Sequence, residues 1–194
     1  RSSAASDVYK RQTNSHRRET IRKKRKLRMH LQVENAAESI GTIEPNCEIF
    51  GLTKGDFSLI SVIEHLLEQT GPADVVIATW TAAGADIQAA EEFLDNKKIR
   101  SIQFLVDQSF RTRRQGEYCS RLVQTFGANA IRFSRSHCKF VIIQNEKWDL
   151  VVRTSMNLNE NIRIENYEIS DDKKFAEFLL ELRDELFDKP HNYS

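Results

Sequence analysis

The stretch from Ser136 to Ile169, SHCKFVIIQNEKWDLVVRTSMNLNENIRIENYEI, holds most of the side chains in this sequence that have chemistry to offer. His137 and Lys139 stand two apart. On a strand, the period of two puts both on one face and Cys138 with Phe140 on the other, so Cys138 is expected in the core. An imidazole can attack phosphorus or carry a proton near neutral pH, and an ammonium beside it can hold a phosphate oxygen as charge develops. The pair suits phosphoryl chemistry that needs no metal, though an exposed strand end gives the same short pattern. Ser155 and Asn157 follow a second apolar run, LVVR, and offer a hydroxyl and an amide to a phosphate. Their plainer role is turn formation. Glu168, beyond Asn166, is either a surface charge or an acceptor for a histidine ring N–H, which would fix the tautomer.

These groups need a scaffold, and the rest of the chain alternates short apolar runs with helical ones. Cys47–Phe50, Asp74–Trp80, Ile102–Val106, Ala130–Phe133, Lys139–Ile143 and Leu150–Arg153 read as strands. Asp56 can cap a helix with Leu59, Ile60, Ile63, Leu66 and Leu67 on one face, stopped by Gly71-Pro72. A helix over about 85–97 buries Ile87, Ala90, Phe93 and Leu94, and another, marked by Tyr118, Leu122, Val123 and Phe126, ends at Gly127. A last helix begins at Asp171, with Phe175, Phe178, Leu179, Leu182 and Leu186 sharing a face. The β-α-β-α-β order predicts an α/β domain, a mixed sheet flanked by helices on both faces, over residues 46–190.

Ahead of it, residues 13–45 read as a basic N-terminal arm and linker, and residues 1–12 as a leader of non-native character, outside the fold. The arm carries Arg17, Arg18, Arg22, Lys23, Lys24, Arg25, Lys26 and Arg28, interleaved with Ile21 and Leu27, which suits a short basic helix. The net charge of +1 hides an asymmetry. Residues 1–30 hold 11 Lys/Arg and 2 Asp/Glu, or +9, leaving 18 minus 26, or −8, for the remainder. A basic arm on an acidic body points to an anionic partner, nucleic acid first, or to a solvated helix. Three cysteines without paired or metal-type spacing, and apolar runs all short of the roughly 18 residues a membrane span needs, suit a reducing, cytoplasmic setting. No metal or other cofactor is expected, and His16, His30, His65 and His191 are scattered.

The stretch resembles the phospholipase D superfamily, whose motif is His-x-Lys, four residues, Asp, then Gly-Ser-x-Asn, with Asn-x-Glu further on. The matching residues are His137, Lys139, Ser155, Asn157, Asn166 and Glu168; Gln144 stands where the family has Asp, and Thr154 where it has Gly. ATWTAAGADI and the strand IQFLVDQ are similar to the lead-in of small single-motif endonucleases of this type, so the resemblance covers roughly 51–187. Such proteins use two motifs for one site, so a single copy implies a homodimer with the two His137 side chains facing across a two-fold axis. By that resemblance one histidine forms a phosphohistidine, the other protonates the leaving oxygen, and Lys139 with Asn157 holds the phosphate. The function implied is a metal-independent phosphodiesterase acting on nucleic acid, DNA before RNA, through His137, Lys139, Asn157 and Glu168.

Ser155, Trp80, Thr81, Arg111, Arg113 and Arg114 are the substrate-side candidates. Trp80 would stack on a base or serve as a core aromatic, and the three arginines would guide a backbone or form a solvated loop. The rivals are an inactive module that binds nucleic acid or assembles, motivated by Gln144 and Thr154, and a phospholipid hydrolase, for which the sequence offers no interfacial apolar helix.

Overall fold

The computed structural model describes residues 24–29, 35–112, 116–159 and 162–190. Eight strands, β1 Lys24–Met29, β2 Cys47–Thr53, β3 Ala73–Thr79, β4 Ile99–Asp107, β5 Ile131–Ser134, β6 Phe140–Gln144, β7 Asp149–Thr154 and β8 Glu165–Asp171, form one mixed sheet. Its order is β1-β2-β8-β7-β6-β3-β4-β5. The helices are α1 Ala36–Ile40, α2 Leu59–Thr70, α3 Gly84–Asp95, α4 Gly116–Phe126 and α5 Lys173–Phe187.

Strand periodicity divides the core in two. In β3, Val75 and Ile77 join a large cluster with Ile40, Ile63, Leu66, Ile87, Phe93 and Leu122 from α1 to α4. Val76 and Ala78 point the other way, into a smaller cluster with Leu105, Phe140, Ile142 and Val151 under Ala176 and Leu179 of α5. Both faces of β3 are therefore covered, which is why its sequence is continuously apolar rather than alternating. The strands from β3 to β7 and all helices beyond residue 58 arise close to where the sequence places them. Ser58 rather than Asp56 is the N-cap of α2, and its hydroxyl donates to Asp86 at 2.9 Å.

Four expectations are corrected. The C-terminal part of the basic segment is a strand: Lys24–Met29 runs parallel to β2, Leu27 opposite Phe50. Arg25, Leu27 and Met29 are exposed while Lys26 and Arg28 are half-buried, a period of two. A helix there lacks the apolar stripe at three- and four-residue spacing that would hold it down. The supposed linker contains α1, capped by Asn35 accepting from Glu38 N, with Ile40 and Ile43 buried in the larger cluster. β8, which carries Asn166 and Glu168, was not anticipated, because its outward side chains are polar and only Tyr167 and Ile169 mark its inner face. In α5 it is Ala176 and Leu179 that are buried, and Phe178 and Leu182 lie on the exposed side.

Two local devices hold the sheet's ends. Gly51 of β2 pairs with Tyr167 of β8, whose ring lies across the glycine and whose hydroxyl meets Ser39 of α1 at 2.7 Å. Burial pushes the Tyr167 hydroxyl up from its ordinary range, more than the Ser39 hydrogen bond lowers it, so it stays protonated at neutral pH. Asp172 caps α5 by accepting from Phe175 N at 3.1 Å. Asp172→Ala is expected to cost about 1 kcal/mol in urea denaturation, and an unchanged midpoint would show that α5 is held by packing alone.

Candidate active site

The candidate site lies at one end of the sheet. The segment 135–139 leaves β5 and enters β6, and the strand order places β4 and β3 between those two. It must therefore cross the C-terminal ends of β4 and β3, the position where α/β sheets commonly hold ligands. Asp107 ends β4 and Trp80 follows β3. The crossing segment is not strand, so His137 and Lys139 owe their juxtaposition to a loop. Lys139 Nζ lies 3.4 Å from both His137 Nδ1 and His137 O. Cys138 is exposed at this loop and lines the neighbouring cleft, which corrects its expected place in the core.

Trp80 packs against His137, with ring centroids 4.9 Å apart and planes tilted by 51°. Its Nε1 donates to Asp107 Oδ1 at 3.1 Å. Asp107 also accepts from Ser109 N at 2.9 Å, from the Ser109 hydroxyl, and from Ser136 N at 3.1 Å. Burial pushes the Asp107 carboxyl up, but the hydrogen bonds from Ser109, Ser136 and Trp80 outweigh it and hold the group below the usual carboxylate range. It is therefore ionised at neutral pH.

Asn157 is fixed from the same side. Its Oδ1 accepts from Trp80 N at 3.2 Å, and the next residue is tied down by Ala83 N donating to Leu158 O at 2.6 Å. With the carbonyl oxygen used, the Asn157 amide N–H groups are the donors left for a ligand. Thr154, in place of the family's glycine, donates from its hydroxyl to Asn166 O at 2.6 Å and accepts from Met156 N at 3.0 Å, so a side chain builds the turn. Ser155 lines the cleft, but its hydroxyl donates to Glu165 and accepts from Asn166 N at 2.9 Å, serving the hairpin.

Glu168 does not meet the histidine. It pairs with Arg153, directly opposite on β7, at 2.5 Å. The Arg153 guanidinium also sits 5.2 Å from the centre of the Phe175 ring. The expected histidine–carboxylate contact is thus replaced by a cross-strand ion pair, because β8 lies two strands beyond β6 and its side chains face the arginine. Lys139, Arg153, Ser155, Asn166, Glu168, Phe175 and Leu179 are among the residues lining a cleft of about 510 Å³ beside the loop. Thr81 is buried, at 8% exposure. The Arg111 guanidinium stacks 5.0 Å from the Phe133 ring centre. Arg113, Arg114, Arg17, Arg18, Arg22 and Lys23 lie outside the described residues. Lys24 lies in β1, Arg25 pairs with Glu48 at 2.9 Å and Lys26 with Glu44 at 3.3 Å, while Arg28 is half-buried.

Gln144 ends β6, five residues beyond Lys139 and so roughly 16 Å along the strand. Its amide donates to Asp149 across the hairpin at 2.6 Å. Position 144 therefore lies at the opposite end of β6 from His137 and Lys139. Sequence reading missed Asp107 and Glu165. For Asp107 a signal existed, a carboxylate closing an apolar strand just before a turn. Glu165 had none, since β8 itself was not foreseen.

No protein-family profile and no curated protein matches the sequence. Among solved structures, NucT from Helicobacter pylori is similar over 73% of this chain and 96% of its own, with 14% identity and a TM-score of 0.51. Nuc, a phospholipase D family member from Salmonella typhimurium, matches over 75% and 97%, with 19% identity and a TM-score of 0.49. The chain shares the overall fold of NucT. A polyphosphate kinase from Porphyromonas gingivalis is similar over 76% of this chain but 27% of its own, with 12% identity and a TM-score of 0.52. Within this sheet, His137, Lys139, Trp80 and Asn157 stand together at the strand ends, while Ser155, Asn166 and Glu168 line the adjoining cleft. No helix among the described residues is long and apolar enough to cross a membrane.

Proposed function

We propose that the protein is a homodimeric phosphodiesterase that cleaves nucleic acid, DNA in preference to RNA, through a histidine nucleophile and without a metal. The observation that carries this reading is the pairing of His137 with Lys139 at 3.4 Å in a loop over the strand ends, beside an Asn157 whose amide is already oriented. A ring nitrogen of His137 attacks phosphorus, forming an N–P bond as the P–O bond to the leaving strand breaks. The partner's His137 protonates that oxygen, then takes a proton from the water that opens the N–P bond. Lys139 and Asn157 donate to the non-bridging oxygens, where charge accumulates in the transition state. Trp80, packed on His137, offers an aromatic edge to a neighbouring base or ribose. The position of Gln144 at the far end of β6 supports an active site over an inactive module.

A two-copy site needs a face to pair through, and the sheet has one. α5 covers β3, β4, β6 and β7, leaving the same face of β8, β2 and β1 open, roughly 10 Å between outer strand axes and about the width of one more helix. Leu27 is 72% exposed there and Met29 74%, with Phe50 beside Leu27. On α5, Phe178 and Leu182 are exposed and flanked by Glu177, Glu181 and Glu185, which complement the basic β1 edge. A two-fold pairing in which α5 of each copy packs on the open face of the other buries these residues. Phe178→Glu should then raise the dimer dissociation constant more than about tenfold in sedimentation, with stability within about 0.5 kcal/mol of the parent. A dimer unaffected by the substitution would move the interface elsewhere.

The direct test incubates plasmid, single-stranded DNA and RNA with the protein in excess chelator. Cutting that resists chelation supports the reading. No cutting with retained binding would favour the inactive module, and release of headgroups from vesicles of choline or ethanolamine lipids would favour a lipid substrate.

A further inference from the structure

Asp107 is the point where three separate parts of the candidate site meet. Its Oδ1 holds the Trp80 indole N–H at 3.1 Å and Ser109 N at 2.9 Å, while its Oδ2 holds Ser136 N at 3.1 Å. Ser136 is the residue before His137, and the Trp80 ring is the surface on which His137 rests. The same Trp80 donates through its backbone N–H to Asn157 Oδ1. One carboxylate thus fixes the start of the histidine loop and the aromatic wall behind the imidazole, and it reaches the asparagine through Trp80.

We propose that Asp107 is a positioning residue: it sets the His137 imidazole against Trp80 in the orientation the reaction requires, without touching substrate. This rests on the phosphodiesterase reading for its consequence in catalysis, but the positioning itself is measurable without turnover. An exposed loop histidine samples several rotamers, and a misplacement of about 1 Å at a reacting group costs on the order of 100-fold in rate. Four donors on one carboxylate supply the restraint, and a charged acceptor makes each bond stronger than a neutral one would be. Lys139 lies beside the imidazole, and its flexible stem cannot fix a ring plane.

The test uses the full chain with Trp148→Phe, which leaves Trp80 as the sole tryptophan. A protonated imidazole in contact with an indole quenches its fluorescence, so emission should fall when lowering the pH protonates the ring. His137→Ala should abolish that fall. The Asp107 carboxyl is held below the usual carboxylate range, so the signal belongs to the histidine.

Adding Asp107→Asn, which keeps one acceptor oxygen but turns an NH₂ toward Ser136 N, should cut the quenching amplitude at least about twofold with circular dichroism unchanged. Asp107→Ala should cut it further, and the Asn variant alone decides the matter where the Ala chain does not fold. In chelator-resistant cleavage, Asp107→Asn should lower kcat by roughly 10- to 100-fold with KM within about twofold.

An amplitude unchanged in Asp107→Asn, or no pH-dependent quenching in the parent, overturns the proposal, as does lost quenching with an unchanged kcat. A parent chain that cuts nothing, yet whose quenching depends on Asp107, sinks the phosphodiesterase reading and leaves the positioning role standing.

Discussion

His137→Ala is expected to lower chelator-resistant cleavage on the order of 10⁴-fold or more, since it removes both the nucleophile and the acid of a shared site. Lys139→Met should cost less, roughly 10²- to 10³-fold, because it removes one stabilising donor from the transition state and leaves the nucleophile in place. Both variants should fold normally, as His137 is exposed and Lys139 only half-buried. Mixing the His137→Ala chain with wild type distinguishes shared from separate sites. If each site needs both histidines, activity follows the square of the wild-type fraction, and an equal mixture retains roughly a quarter. Separate sites retain about half, and that linear result would remove the partner's histidine from the mechanism. Retention of full activity by His137→Ala in the pure state would sink the histidine chemistry altogether.

Gly51→Ala is expected to be the most destabilising small substitution in the sheet. A Cβ at position 51 would overlap the Tyr167 ring at Cζ, Cε1 and Oη. Tyr167 has nowhere to go, being fully buried and held at its hydroxyl by Ser39, itself fully buried. Overpacking against a rigid ring costs about 3 kcal/mol, which for a chain of this size lowers the melting temperature by roughly 6–12 °C. Tyr167→Phe alone should cost about 1–3 kcal/mol, because it strands the Ser39 hydroxyl. If the overlap is the cause, Tyr167→Ala in the Gly51→Ala background costs less than the two single changes added together. Strict additivity, or a melting temperature within a degree of wild type for Gly51→Ala, would refute the close approach between β2 and β8.

The fold was legible where a segment's burial is one-sided or complete. α2 announces itself through Leu59, Ile63, Leu66 and Leu67, and β3 through an unbroken apolar run. Legibility failed at the sheet's other half. β1 and β8 expose one face to solvent and carry Arg25, Glu168 and Asn166 there, so their sequences look like charged arm and polar loop. What makes them strands is the hydrogen-bonding edge that β2 and β7 present, a partner far away in sequence. The exposure of Phe178 escaped the helical-face reading because only the part of the α5 stripe around Ala176 and Leu179 meets the sheet.

His137, Lys139, Asn157, Asn166 and Glu168 were picked out by their functional-group types and by the spacing of the motif they resemble. The sequence by itself therefore determined which side chains are available. Tertiary structure alone decided how they are partnered. It gave Glu168 to Arg153, turned Ser155 into its hairpin, left Cys138 exposed, and made Asp107 the anchor of Trp80 and the His137 loop. The physical reason is that spacing along a strand sets direction, whereas a hydrogen bond is set by which strand ends lie next to each other. That adjacency comes from the sheet order, in which β5 and β6 are separated by β4 and β3 and the loop between them must cross the site.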